Sequence, residues 1–424
     1  MFVVTLLLTN CVVLAASGRS PNADYVEELL RKNAFGSRIS DSIIEDALLD
    51  PDLVKKYKYP FEEHSVTTED GYILGVHRIP HGRDAFNVPG ERPVAFIMHG
   101  LVSSSSETIL PGPGSGLAYI LAEEGFDVWL GNARGNYYSR RHKTLNPDSR
   151  FSTKFWDFSW DEIGNFDLPA MIDYVLERTG KSRLHYIGFS QGTTSYFVMG
   201  SLRPEYNKKI ISMHAMAPVA YMAHNRNLLL NVIAPHAHDI LRLTSLFGFG
   251  EFSPRSEITT ALGLVFCADK SRFQPICSNL IFQIAGFNVD QHNATLLPII
   301  MGHLPAGAAM KQLAHYGQSI VDKEFRRYDY GALGNLRKYG RVRPPRYDLS
   351  KISAPVFLHY SQSDPMAEVP DVDRLFKDLG NPVGKFLVQQ RTFSHVDFVW
   401  GIDAKNLVYN RIINFMHLLN SNEL

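Results

Sequence analysis

The chain has 424 residues, 45% of them hydrophobic and 12% aromatic, a composition that excludes a disordered or low-complexity protein and suits a large core. Lys plus Arg and Asp plus Glu balance at 43 each, so no electrostatic argument points to a nucleic-acid partner.

Phe2 to Ala16 is an apolar run broken only by Thr5, Thr9 and Asn10, and Ser17 and Gly18 follow before Arg19. This reads as a secretory signal peptide over residues 1–18, cleaved after Ser17 or Gly18. The run is shorter than the roughly 20 residues that span a bilayer, and no later segment reads as a transmembrane helix. A secretory address places the mature protein outside the cell or in the lysosome. Cys11 leaves with the signal, and Cys267 and Cys277 are then expected to form a disulfide in an oxidising compartment. Two free buried thiols are the alternative, and the C-x9-C spacing without nearby ligands is a poor zinc pattern. Asn293-Ala294-Thr295 is a glycosylation sequon, usable if its loop is exposed.

From Ser20 to Pro60 the pattern is polar and helical, with Tyr25, Leu29, Leu30, Ile43 and Leu48 as scattered anchors, and it reads as a strap. His64 to Thr68 and Tyr72 to Arg78 alternate apolar and polar around Glu69-Asp70-Gly71, the signal of a hairpin. Pro93 to Met98 is a buried-strand run that ends in His99-Gly100-Leu101. Gly116 to Gly125 predicts a helix closed by glycine, Phe126 to Leu130 a strand, and Asp167 to Thr179 a helix with Pro169 in its first turn. Leu184 to Ile187 is a further strand, and Ile210 to Ala215 the next. That alternation predicts an α/β fold, a mostly parallel central sheet with helices on both faces. Residues 221–343 break the rhythm with helical apolar patches, until Pro344-Pro345 and the strand Ala354 to Tyr360 restore it. The expected organisation is a core from residues 19–220 and 344–424, with 221–343 as a helical cap or lid over the carboxyl ends of the strands.

Gly188-Phe189-Ser190-Gln191-Gly192 joins the strand at Leu184 to the next helix and matches the G-x-S-x-G nucleophile elbow. A serine on so tight a turn needs a strained backbone, and larger residues at the glycine positions would collide. A serine nucleophile also needs a base and an acid to orient that base, in chain order serine, acid, histidine. Asp364 ends the strand that restores the rhythm, and His395 follows the last apolar strand, so they take those roles. Asp371 and Asp397 compete as the acid: Asp371 is expected to open a helix, and Asp397 lies too close beyond His395 to reach its far nitrogen. Of 16 histidines, His99, His142, His236 and His238 are read as structural or surface groups. The expected oxyanion donors are the backbone N–H groups of Leu101 and Gln191. This chemistry needs no cofactor and no metal.

Several motifs together resemble the acid lipase family, which includes the gastric and lysosomal acid lipases. They are His99 to Leu101, Asp127 to Asn136, Phe158 to Glu162, Asp167 to Ala170, Leu184 to Thr193, Ala217 to Val219 and His395 to Trp400. The resemblance runs from about Pro60 to Trp400. It implies an α/β-hydrolase core with a helical cap, acting on esters of neutral lipids at a lipid–water interface. It also implies triad positions at Ser190, Asp364 and His395, oxyanion positions at Leu101 and Gln191, and a cap disulfide between Cys267 and Cys277. The chain departs from the family twice. Phe189 stands where these lipases usually carry histidine, and Ser103 to Gly116 lacks the tryptophan often found after the oxyanion turn. A carboxylesterase for short soluble esters and a non-catalytic lipid-binding protein on the same fold are the competing readings. Oligomeric state is not legible.

Overall fold

The computed structural model describes residues 52–83, 92–149, 152–252, 286, 288 and 290–421. The signal-like segment, the strap before Asp52, and Cys267 and Cys277 lie outside the described residues. β1 (Glu62–Thr67) pairs antiparallel with β2 (Tyr72–Ile79), from Glu62 opposite Arg78 to Thr67 opposite Ile73. Gly71 closes their turn at φ +97°, and the Thr68 hydroxyl accepts from the Tyr72 N–H while donating to Asp70. This is the hairpin expected from Glu69-Asp70-Gly71.

β3 (Val94–Met98) crosses through α1 (Leu117–Glu123) to β4 (Asp127–Gly131), its parallel neighbour. Gly125 at φ +90° takes the left-handed position after α1, as its place in the sequence suggests. The short β5 (Arg141–His142) pairs with β2, and α2 (Leu168–Thr179) begins with Pro169 in its first turn. β6 (Leu184–Phe189) then leads into α3 (Gln191–Leu202), and β7 (Ile210–Met216) returns alongside β6. α3 is buried from Gln191 through Ser201, which is why this helix is apolar or small on every face rather than striped. Every residue of β3, β4 and β6 is buried and the strands are mostly apolar, with Asp127 opening β4 and His185 inside β6; burying one large apolar side chain there contributes roughly 1.5–3 kcal/mol.

After β7 the described chain turns helical: α4 (Leu228–Ile233), α5 (Ala237–Leu246), β8 (Glu251–Phe252), α6 (Leu297–His303), β9 (Ala308–Ala309), α7 (Met310–Asp322) and α8 (Gly331–Tyr339). β8 and β9 pair only with each other, so among the described residues this segment adds no strand to the large sheet. β10 (Val356–Tyr360) resumes the sheet beside β7, and α9 (Val369–Asp378) connects it to β11 (Pro382–Leu387). α10 (Asn410–Asn420) follows a wide helical turn over Lys405–Tyr409.

The sheet order is β1-β2-β4-β3-β6-β7-β10-β11, with β5 beside β2. From β3 the chain steps to one side to form β4 and then to the other to form β6, with all pairings from β4 to β11 parallel. Where such a sheet changes direction, the loops beyond neighbouring strands part and leave a crevice. Here that point lies at the carboxyl ends of β3 and β6. Met98 is registered against Gly188, so the His99-Gly100-Leu101 turn and the Ser190 elbow emerge side by side.

Candidate active site

Ser190 passes the chain from β6 to α3 in one residue, at φ +50° and ψ −115°, a conformation that costs on the order of 1–3 kcal/mol. Its surroundings hold it there. The Ser190 N–H donates to the Met216 carbonyl at 3.1 Å, and the Ser190 carbonyl accepts from the Thr193 hydroxyl at 2.6 Å. The flanking glycines are steric requirements: a Cβ on Gly188 would lie 2.8 Å from the Gly192 carbonyl carbon, and one on Gly192 only 2.2 Å from the Met98 carbonyl oxygen. Helix α3 therefore packs against the exit of β3 closely enough to bring the two loops together.

The structure brings the three expected side chains into one hydrogen-bonded line. His395 Nε2 lies 2.8 Å from Ser190 Oγ, and His395 Nδ1 lies 2.7 Å from Asp364 Oδ2. The other Asp364 oxygen, Oδ1, accepts from the backbone N–H groups of Met366 and Ala367 at 2.8 and 2.9 Å. Burial alone would raise the Asp364 pKa, but His395 and these two N–H donors outweigh it and hold the carboxyl below the usual value. An ionised Asp364 accepts from Nδ1–H, which leaves Nε2 free to take the hydroxyl proton. All three side chains are buried and come from loops after different strands, β6, β10 and β11.

The competing groups are occupied elsewhere. Asp371 sits in the first turn of α9 and accepts from the His224 backbone N–H and faces its ring. Asp397 opens its own helical turn, accepting from the Ser394 N–H and the Asn288 side chain. His99 is structural. Its Nε2 accepts from the Ala133 N–H, which leaves Nδ1–H to donate to the Gly100 carbonyl, and burial lowers its pKa to about 4. His142 accepts from the N–H groups of Thr144 and Leu145 in the β5 turn.

Leu101 stands three residues past β3, and Gln191 is the first residue of α3, where a backbone N–H has no intrahelical acceptor. Phe189 is buried between the two halves of the site. Its ring centre is 5.1 Å from that of His395, and a Cβ on Gly100 would meet it at 3.1 Å. The departure at Phe189 thus places an apolar wall behind both the histidine and the Gly100 turn.

Two site neighbours had no evident signal in the sequence. Glu107, buried in the Ser-rich stretch after Leu101, accepts from the Gly100 N–H at 3.3 Å. A lone carboxylate among serines was the only trace of it. Gln312 of α7 donates to the Gln191 side chain at 3.1 Å and accepts from the Ala309 N–H at 2.7 Å, so the helical segment touches the elbow itself. Arg134, inside the Asp127 to Asn136 motif, is fully buried between Asp70 and Asp167 and lies 3.9 Å over the Tyr72 ring, an architectural role. Among the described residues no group of three His, Cys, Asp or Glu side chains could hold a metal ion.

The sheet, the elbow at its switch point and the helical segment after β7 define an α/β hydrolase. Known families agree: the partial alpha/beta-hydrolase lipase region matches residues 51–110 and the alpha/beta hydrolase fold matches residues 94–235. Solved structures share the fold at low sequence identity. A putative lipase from Sulfolobus solfataricus superposes with a TM-score of 0.55 at 12% identity, covering 85% of this chain and 94% of its own. A putative lipase from Acinetobacter baumannii gives 0.50 at 15% identity, covering 91% and 99%. Sequence relatives are nearer. Lipase 1 of Drosophila melanogaster is 43% identical over 88% of this chain and 81% of its own, and the gastric triacylglycerol lipase of Bos taurus is 37% identical over 86% and 90%. The chain belongs to the acid lipase family, alongside the gastric lipases, and is a carboxylic ester hydrolase.

Proposed function

We propose that this lipase cleaves esters of neutral lipids, triacylglycerol or cholesteryl ester, through an acyl-enzyme on Ser190. The observation that carries the mechanism is the unbroken line from Asp364 through His395 to Ser190, at 2.7 and 2.8 Å. His395 takes the Ser190 proton as Oγ attacks the ester carbonyl, and Asp364 holds the resulting imidazolium. The Leu101 and Gln191 N–H groups receive the negative oxygen of the tetrahedral intermediate. Collapse expels the alcohol, which takes the proton from His395. Water, deprotonated by the same histidine, then frees the fatty acid and restores Ser190.

Residues 221–343 serve as the cap. Leu228, Val232, Leu243, Leu246 and Phe247 are exposed there, a burden in water and an asset at a lipid surface. These residues, with the name of the cattle relative, favour a lipid substrate over a short soluble ester. The signal-like N-terminus supports passage through the secretory pathway to the cell exterior or the lysosome, with Cys267 and Cys277 joined on the way. Asn293 and Thr295 are both exposed, which suits a glycan on Asn293. Ser190→Ala is expected to fold normally and to abolish hydrolysis of an emulsified long-chain triacylglycerol; retained turnover contradicts the mechanism.

A further inference from the structure

The charge balance of the whole chain breaks locally at α8. Residues 331–346 contain Arg337, Lys338, Arg341, Arg343 and Arg346 and neither Asp nor Glu. Arg346 pairs with Glu324, whereas Arg337, Lys338, Arg341 and Arg343 are exposed with no ion-pair partner among the described residues. Leu333, Leu336 and Val342 are exposed among them. The nearby carboxylates are committed elsewhere: Asp329 to the Gly331 N–H and the Asn335 amide, Asp157 to Lys311, Asp161 to Arg327, and Glu324 to Arg346 and Arg374.

Residues 331–343 are held in place by part-buried hydrogen bonds. Buried Asn335 donates to Asp329 and to the Val342 carbonyl, and the Tyr339 hydroxyl donates to the Tyr328 carbonyl. Tyr330, at the foot of α8, accepts from Lys311 Nζ at 3.0 Å, one residue before the Gln312 that reaches Gln191. Tyr330 also packs with Leu241 of α5 on the Ala237, Ala314 and Tyr328 cluster, so α8 shares its footing with the helix that exposes Leu243 and Leu246.

Leucines and unpaired cations side by side suit a surface with hydrocarbon below and negative charge at its rim. We propose that residues 331–343 dock the protein on lipid surfaces that carry its own fatty-acid product. This rests on the lipid-ester reading above. Each turnover of such an ester leaves an acyl chain in the interface with one new carboxylate. That carboxylate is bonded directly to its chain, so its charge lies at the hydrocarbon boundary, where the guanidinium groups flank the leucines and can pair with it in bidentate fashion. A phosphodiester sits farther out, beyond a glycerol unit. Hydrolysis thereby strengthens the hold of the protein on the surface it is consuming.

The test is flotation of the full-length protein with three vesicles at about pH 8: phosphatidylcholine alone, the same with about 20 mol% oleic acid, and the same with phosphatidylglycerol at matched surface charge. The protein is expected to bind the oleate vesicles about tenfold or more tighter than phosphatidylcholine alone, and tighter than the phosphatidylglycerol vesicles. The fourfold variant R337E/K338E/R341E/R343E is expected to lose that gain while hydrolysing a dissolved short ester at the normal rate. Arg341→Gln with Arg343→Gln, a milder pair, is expected to lose part of it should the fourfold variant fold poorly. Equal binding to oleate and phosphatidylcholine vesicles, or an unchanged gain in the charge variants, overturns the proposal. Phosphatidylglycerol binding as tight as oleate binding overturns the assignment to product. A wild-type protein that hydrolyses no ester at all instead defeats the functional reading, a separate outcome read from the ester assay.

Discussion

Glu107 sits behind the His99-Gly100-Leu101 loop, with one carboxyl oxygen on the Gly100 N–H. Burial pushes its pKa up from 4.5 to about 8, against a smaller opposing effect of the Ser103 hydroxyl and the Gly100 N–H. The folded protein therefore keeps a proton that the unfolded chain has lost between these two values. The stability this group contributes is complete below the unfolded value and is lost as pH rises through about 8. Glu107→Gln retains an acceptor for Gly100 and removes the charge, so its urea midpoint is expected to fall much less than the wild type's between about pH 5 and about pH 8. An equal fall in both proteins would refute the assignment. Asp364 works in the opposite sense: its carboxyl is held below the usual value, so its contribution is present above the ordinary carboxylate range and lost as pH falls through the folded value. Asp364→Asn is expected to lower kcat by about 10³–10⁴-fold with the fold intact, since the amide no longer holds His395 in the tautomer that accepts the serine proton. A kcat within about tenfold of normal would remove Asp364 from the mechanism.

At the scale of elements, the elbow depends on how closely α3 approaches β3. Gly192→Ala places a methyl group 2.2 Å from the Met98 carbonyl oxygen, which is backbone and cannot swing aside. The variant is expected to lose more than about 2 kcal/mol in chemical denaturation and most of its ester hydrolysis; wild-type stability would show that the approach is less tight. Much of this architecture was legible in the sequence. Strands buried on both faces are mostly apolar, which is why Val94–Met98, Leu184–Phe189 and Val356–Tyr360 stood out even with His185 and His359 inside the last two. Ser190 stood out because it directly follows such a strand, and Asp364 and His395 because they lie in loops at strand ends, in the chain order the chemistry needs. β11 was legible only at its end. It begins at Pro382, but as an edge strand it stays half exposed and alternates with polar residues, so only its final Phe386-Leu387 looked like a strand. The Gln312 contact with Gln191 spans 121 residues, and no local pattern encodes a pairing at that range. Glu107 escaped for a different reason: nothing in a run of serines announces that a carboxylate among them will be buried.

The whole molecule carries two features on one body, a buried hydrogen-bonded line from Asp364 through His395 to Ser190 and exposed apolar side chains on the segment after β7. If that surface meets lipid, replacing Leu243, Leu246 and Phe247 together by serine is expected to slow hydrolysis of an emulsified ester by about tenfold and leave a dissolved ester unaffected. An equal effect on both substrates would assign these side chains to the fold instead. No described helix is long and apolar enough to cross a membrane. The central claim, that Ser190 is the nucleophile, is tested most directly by titrating the wild-type protein with an alkyl organophosphonate and mapping the adduct by peptide mass spectrometry. The expected result is one phosphonyl group per chain, on Ser190, appearing in step with loss of ester hydrolysis. An adduct on another residue, or full activity after labelling of Ser190, would contradict it.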